Sequence, residues 1–424
     1  MQIQNSEIDY GKLVFYSRTN KQMTQQELSI GICSITYLSK LENSKITPNM
    51  ETLALLLERL DIDINEIDRN KFFIINNLEE WYKSIIQRDE PSVIDHLKEK
   101  IDLQIKNAHS TNLIYYYHLV SLRYSIHKKN KKDAEEIMEI LIKGKDKFGA
   151  HQKAYFEYFL GLYYCTIKAD SPRGLVHFEN IIYFFNDPTH VDPEFFFHLS
   201  LTYTNTYNTP MAVTYAEKAL NIFNSKLWFK RSLECQLLLG VNYGRLKEYS
   251  RAIEILNKII NVSKGFEDKV IFAKALHNLG FIHSKLHNYE EAIKYYLHAL
   301  DYIDTPSKIY LNVVIELASV LIKNNQKQEA LAWVNKTLSE SNKYQWPSTK
   351  LVELEIIKYQ LINTDSELIS YLENTAIPKF VQSNDFGLMS QYYETLGKSY
   401  KKLHQYKKSS HYYELCLKLL KKMS

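Results

Sequence analysis

The chain has 424 residues, enough for two or three domains and a large buried core. Its 12 Gly and 9 Pro are about half the usual share, and aromatics reach 13%, so a disordered chain is excluded and packed helices are expected. The net charge of +4 is too small to argue for nucleic acid by itself.

Helical spacing begins at Gly11–Thr19, with Leu13, Val14 and Tyr16 or Ser17 expected to face a core. Thr24 followed by Glu27 forms a capping box that starts a second helix ending near Gly31-Ile32-Cys33. Ser34 caps a third short helix, Ile35–Leu41. Two short helices joined by a tight turn make a helix-turn-helix. After the turn Thr47-Pro48-Asn49, a fourth helix is expected to bury Leu53, Leu55, Leu56 and Leu60, and Ile62–Ile67 reads as a fifth. Residues 1–45 carry five basic groups (Lys12, Arg18, Lys21, Lys40, Lys45) against Glu7, Asp9, Glu27 and Glu42, so any DNA-facing charge is local and modest.

The stretch 7–67, and Met23–Pro48 above all, resembles the Xre/Cro-like helix-turn-helix family. Thr24-Gln25, Glu27-Leu28, Leu38-Ser39-Lys40-Leu41-Glu42 and Pro48 fall in that family's order. Ser44 stands where the family usually has Gly. In such a motif the third helix enters the major groove with its N-terminal residues foremost. The resemblance implies a DNA surface made of Gln25, Ser34, Ile35, Thr36, Tyr37, Lys40 and Lys45. Thr36, Tyr37 and Lys40 would read bases, and Gln25 would hold a phosphate. It also implies that Arg18 and Glu42 pair to lock the motif.

Beyond residue 67 the chain repeats. A small residue precedes an aromatic by three at Ser121/Tyr124, Gly161/Tyr164, Ser200/Tyr203, Gly240/Tyr243, Gly280/His283 and Gly397/Tyr400. The first four steps between small residues are 40, 39, 40 and 40, and Ala318 follows at 38. A degenerate unit is expected near 351–374. The pattern resembles the tetratricopeptide repeat, whose first helix carries L-G-x-x-Y, here with a longer period. No such unit buries its apolar face alone, so stacking into a right-handed α-solenoid is expected. The fold class is therefore all-α, with a five-helix domain at 1–67, a linker helix or opening helical pair at 68–110, and the repeats at 111–424.

Counting from each small residue, the groove of the central repeats should present Phe197, Asn205, Val241, Arg245, His277, Phe281 and Lys285. Asn242, Asn278 and Asn312 could hold a peptide backbone, because an amide both donates and accepts. Phe195-Phe196-Phe197 and Tyr115-Tyr116-Tyr117 read as helix seams.

Cys33, Cys165, Cys235 and Cys416 lie far apart without a C-x-x-C pair, and no phosphate loop or H-E-x-x-H occurs, so neither a metal, a cofactor nor a catalytic site is expected. Met1–Asp9 is polar and acidic rather than a signal peptide, and no apolar run approaches the ~18 residues of a membrane span. A cytoplasmic protein without membrane contact is expected.

The helix-turn-helix followed by repeats resembles the Rap/NprR/PlcR/PrgX group of peptide-responsive regulators. That resemblance implies a transcription regulator, not an enzyme, controlled by a short signalling peptide. The expected partners are double-stranded DNA, the peptide and a second copy in a homodimer or higher oligomer. The alternative is a repeat-domain adaptor, or a Rap-like protein that docks phosphorelay partners.

Overall fold

The computed structural model describes all residues except 2, 4–9, 109, 267, 304–306, 345, 363–364, 384 and 424. Glu7 and Asp9, counted above among the acidic groups, lie outside the described residues. The architecture is all-α, with no strand among the described residues. The backbone divides into two units, Met1–Phe195 and Phe196–Ser424.

The first unit opens with α1 (Tyr10–Asn20), α2 (Gln25–Ser29), α3 (Ile35–Glu42), α4 (Met50–Arg59) and α5 (Ile64–Gln87). Three caps set these starts. The Thr24 hydroxyl accepts from the Glu27 N–H while the Glu27 carboxylate accepts from the Thr24 N–H at 2.6 Å. Those bonds hold the exposed Glu27 carboxyl below its ordinary value. Ser34 accepts from the Tyr37 N–H, and Asn49 accepts from those of Glu51 and Thr52. Gly31 makes the turn at φ 74°, where a side chain would be strained. Ser44 occupies the left-handed region at φ 53°, so the family's usual Gly position keeps its geometry here without Gly.

Leu13, Val14, Leu28, Leu38, Leu41, Leu53, Leu56, Leu57 and Leu60 close the small core. One expectation is corrected. Leu55 is 48% exposed, because Leu57 takes the inner face instead. Of the two alternatives Tyr16 and Ser17, Tyr16 is 61% exposed and Ser17 is the half-buried one. The expected short fifth helix and the linker helix are one 24-residue helix, α5, so residue 67 lies inside it. A continuous helix transmits orientation between what precedes and follows it, which a flexible linker would not.

The unit continues with α6 (Pro91–Gln104), α7 (Thr111–His127), α8 (Lys131–Gly144), α9 (Ala150–Thr166), α10 (Ser171–Glu179), α11 (Ile182–Asn186) and the first turn of α12 (Pro193–Asn205). A buried polar joint sits among them. The Arg123 guanidinium donates to both Glu194 oxygens, at 2.8 and 3.2 Å. Tyr82 and Tyr155 donate to Asp192 at 2.6 and 3.0 Å, and Asp192 accepts the Glu194 N–H at 2.9 Å. Asp192 and Glu194 are 2% and 0% exposed. Burial, and then the Asp192 charge, raise both tyrosine hydroxyls well above their ordinary value.

The second unit holds the rest of α12, then α13 (Thr209–Ser225), α14 (Phe229–Arg245), α15 (Tyr249–Phe266), α16 (Lys269–Lys285), α17 (Tyr289–Leu300), α18 (Lys308–Lys323), α19 (Lys327–Glu340), α20 (Ser348–Ile362), α21 (Asp365–Tyr371), α22 (Ile377–Gln382), α23 (Phe386–Lys402) and α24 (Tyr406–Met423). The degenerate unit at 351–374 is α20 plus a broken second helix, α21 and α22, joined by a π-helical turn at Leu372–Ala376 ahead of Pro378.

The small residues of the repeat work as expected. A Cβ on Gly240, Gly280 or Gly397 would stand 2.9, 2.7 or 3.0 Å from Leu256, Tyr296 or Tyr413, each 16 residues on in the paired helix. Gly280→Val should therefore overpack the α16–α17 seam and cost about 1–3 kcal/mol. Urea melts followed by circular dichroism would show it as a lowered midpoint, and an unchanged midpoint would mean that the helices slide apart freely.

The repeat aromatic also has a use that spacing did not reveal. Tyr124, Tyr163, Tyr243 and Tyr400 donate to Asp95, Glu135, Glu217 and Glu373 at 2.8, 2.5, 2.7 and 2.6 Å. Three of these carboxylates also meet a cation, Lys128, Lys168 or Arg251. Each clip ties a first helix to an earlier segment of the array. In the second repeat Tyr163 makes the clip, not the expected Tyr164.

Candidate DNA-reading and groove surfaces

The surface of α3 is set by what its neighbours hold in place. Arg18 donates from Nε and Nη2 to the two Glu42 oxygens at 2.6 and 2.9 Å, and from Nη1 to the Met23 carbonyl at 2.8 Å. The lock expected between Arg18 and Glu42 is present, and the guanidinium is held above its ordinary value by that hydrogen bond. Gln25 joins it, its amide donating to Glu42 at 2.7 Å. Gln25 is thus tied to the lock rather than standing free for a phosphate. Tyr37 is also corrected: it is half-buried against the small core, and its hydroxyl accepts from the Asn49 N–H at 2.9 Å. It anchors α3 to the α4 cap. Ser34, Ile35, Thr36, Lys40 and Lys45 are exposed.

In the first unit α5 packs on α7 and α7 on α9; in the second, α14 packs on α16, α16 on α18 and α18 on α20. The second helices of the pairs make no comparable contact with one another among the described residues. The layer whose members lie closer is the inside of a bend, so in each unit the first helices line the inner face.

The expected groove residues divide into three sets. Asn205, Arg245 and Lys285 are exposed, while Val241, His277, Asn278, Phe281 and Asn312 are half-buried. Two residues are committed elsewhere. Phe197 is 6% exposed beneath the Arg231 guanidinium, 4.5 Å from the ring centre, and is a seam rather than a pocket wall. Asn242 is fully buried, its amide nitrogen donating to Thr204 Oγ1 and the Leu238 carbonyl, both at 2.8 Å. It clamps α14 to α12 instead of reaching into the groove. Asn278 donates to the Lys274 carbonyl of its own helix at 2.8 Å. The Asn312 side chain makes no hydrogen bond among the described residues. Arg245 donates to the Thr204 carbonyl and lies 5.0 Å from the Tyr207 ring, while Lys285 lies 4.9 Å from the Phe281 ring.

Models of known families match separate parts of the chain. Residues 16–67 match a helix-turn-helix, and 273–305 and 390–419 match tetratricopeptide repeats. Residues 71–127 match the N-terminal part of response regulator aspartate phosphatase H. The transcriptional activator NprA of Geobacillus stearothermophilus is 28% identical over 405 residues, covering 93% of this chain and 98% of that protein. The chain is thus similar to a transcriptional activator over nearly its whole length. Regulatory protein RapD of Bacillus subtilis (strain 168) is 27% identical over 70% of this chain and 86% of its own length. Among solved structures, NprR in complex with its cognate peptide NprX is 25% identical, with TM-score 0.67, over 82% of this chain and 97% of that one. The apo form of the quorum sensor NprR from B. thuringiensis shares the fold, with TM-score 0.69 over 84% of this chain and 100% of that one.

The match to the N-terminal part of response regulator aspartate phosphatase H begins inside α5, at residue 71. No helix among the described residues is long and apolar enough to cross a membrane.

Proposed function

We propose that this protein is a cytoplasmic transcription regulator that binds double-stranded DNA through α3 as a homodimer and is controlled by a short peptide in the inner groove of its second unit. One observation carries it: an exposed α3 face, braced from behind by Arg18, Glu42 and Gln25, stands on the same chain as a long helical-repeat array. The transcriptional activator NprA, alike over nearly both whole chains, supports the DNA role, and NprR with its peptide supports the groove. Dimerisation follows from charge. The DNA module has too small a positive excess to bind tightly alone, and two copies on a palindrome multiply affinity through effective concentration.

With Tyr37 and Gln25 occupied inside the module, direct readout falls to Thr36 and Lys40, backed by Ser34, Ile35 and Lys45. Changing Thr36 or Lys40 to Ala should cost about 1–3 kcal/mol on the cognate site and little on unrelated DNA. In-vitro selection of DNA sites followed by fluorescence anisotropy checks this. Full affinity and unchanged selected sites in the double variant would take α3 out of the major groove.

A second proposal has one specific support, the match of residues 71–127 to a phosphatase-named Rap segment. In it, α5 to α7 would dock a response-regulator partner. A pull-down with phosphorelay receiver domains that captures none would remove it.

A further inference from the structure

The N-terminal arm ahead of α1 is held by residues far along the chain. Ile3 is 8% exposed, and its N–H donates to a Glu79 carboxylate oxygen of α5 at 2.6 Å. Met1 is half-buried, its amino nitrogen 4.0 Å from Asp192 of the buried joint. That nitrogen also lies within the electrostatic field of His151 on α9, whose Nδ1 is 3.1 Å from the Tyr116 hydroxyl of α7. The arm therefore meets α5, α9 and the turn just ahead of α12, all in the first unit. Ordering a chain end costs backbone entropy, and most ends stay loose unless something ties them down. Here a buried aliphatic side chain and a hydrogen bond to a charged acceptor, 76 residues on, do so.

The position of this arm matters because of what it is joined to. Helices α1 to α4 pack on one another and make no comparable contact with α6 to α12 among the described residues. The DNA module is therefore attached to the rest of the first unit through two connections, the arm at its start and α5 at its end. Six residues, 4–9, separate Ile3 from Tyr10, the first residue of α1. That length of chain reaches at most about 25 Å when fully extended. A docked Ile3 thus limits how far α1 can swing about α5. The Arg18–Glu42 lock ties α1 to α3, so the restraint passes to the reading helix.

We infer that the surface formed by α5, α9 and the turn ahead of α12 is a docking surface for the N-terminal arm of the same chain, and that the docked arm fixes the orientation in which α3 is presented. Ile3 is the apolar anchor, and Glu79 is the acceptor that sets its register. The docking needs neither DNA nor peptide; its effect on DNA rests on the homodimer proposal above. For two modules on one palindrome, a fixed orientation spares part of the freedom that binding otherwise costs. A single half-site gains nothing from it, because one module can turn to meet its site.

The test uses full-length protein with any purification tag at its C-terminus. A photo-reactive benzoylphenylalanine in place of Ile3 should cross-link within one chain to peptides of α5 around Glu79. Products in a second copy, or none on the first unit, would overturn the docking. Affinity is then measured on a palindromic site and on a single half-site. Ile3→Asp should weaken binding to the palindrome about fivefold or more and leave the half-site unchanged, with the melting midpoint retained. Ile3→Val, which keeps the apolar anchor, should behave as wild type, and Glu79→Ala should show the Ile3→Asp pattern more weakly. Equal affinity of wild type and Ile3→Asp for the palindrome would overturn the orienting role. Equal losses on both sites would make the arm a part of the DNA module itself and overturn that role too. If wild type selects no DNA site at all, the DNA reading fails, while the cross-link still decides the docking.

Discussion

Glu194→Ala should destabilise the first unit by about 3–5 kcal/mol, the effect expected when a buried ion pair loses one partner. Arg123 would be left buried with no carboxylate at 2.8 Å, while the backbone N–H of residue 194 would still donate to Asp192. Glu194 is fully buried, so water cannot stand in for it. The double change Arg123→Met with Glu194→Leu should recover most of the loss, because it removes the charge as well as the bond. Hydrogen exchange resolved by peptide is the suitable readout, since a chain with two units need not unfold in one step. Protection should fall across α5, α7, α9 and the first turn of α12. Unchanged protection in Glu194→Ala would mean that the joint contributes nothing net.

Arg18→Ala should abolish sequence-specific DNA binding through the fold rather than through contact. It removes three hydrogen bonds and leaves Glu42, 7% exposed, with only the Gln25 amide. The expected cost is about 2–3 kcal/mol, less than for Glu194 because Arg18 keeps some contact with water. A module of this size has little stability to lose. Binding should therefore fall for every DNA sequence alike, unlike Thr36→Ala or Lys40→Ala, which should fall on the cognate site alone. Peptide binding should be unaffected. A variant that loses specificity while keeping its exchange protection would make Arg18 a DNA contact instead of a brace.

Local grammar was readable from the residues. Thr24/Glu27, Ser34 and Asn49 each name a helix start because a side-chain oxygen must satisfy orphan N–H groups nearby in sequence. The 40-residue step of Ser121, Gly161, Ser200, Gly240 and Gly280 was readable because each marks a close helix approach within one unit. What escaped depends on partners fixed only by packing. Nothing local to Tyr243 names Glu217, and nothing near Arg123 names Glu194, 71 residues away. Spacing puts Phe197 on the groove face, amide chemistry suggests Asn242 there, and the resemblance puts Gln25 and Tyr37 on the DNA face. Spacing gives a direction around a helix but not what the neighbouring helix puts there, and each of the four meets a partner in it. The fifth helix is cut short in the sequence reading because polar residues follow Ile62–Ile67 and separate it from the linker helix expected within 68–110. Those polar residues continue the same helix.

The most direct test joins the two surfaces. Full-length protein is titrated with its selected DNA site, with and without a saturating groove-binding peptide, and the peptide is titrated with and without DNA. The two sites are coupled if a bound peptide changes the orientation in which the α3 helices are presented, and α5 offers an unbroken helical route out of the DNA module. DNA affinity should then change by about tenfold or more, and peptide affinity by the same factor, because linkage is reciprocal. Specific DNA binding that is indifferent to a peptide demonstrably occupying the groove would contradict a peptide-controlled regulator.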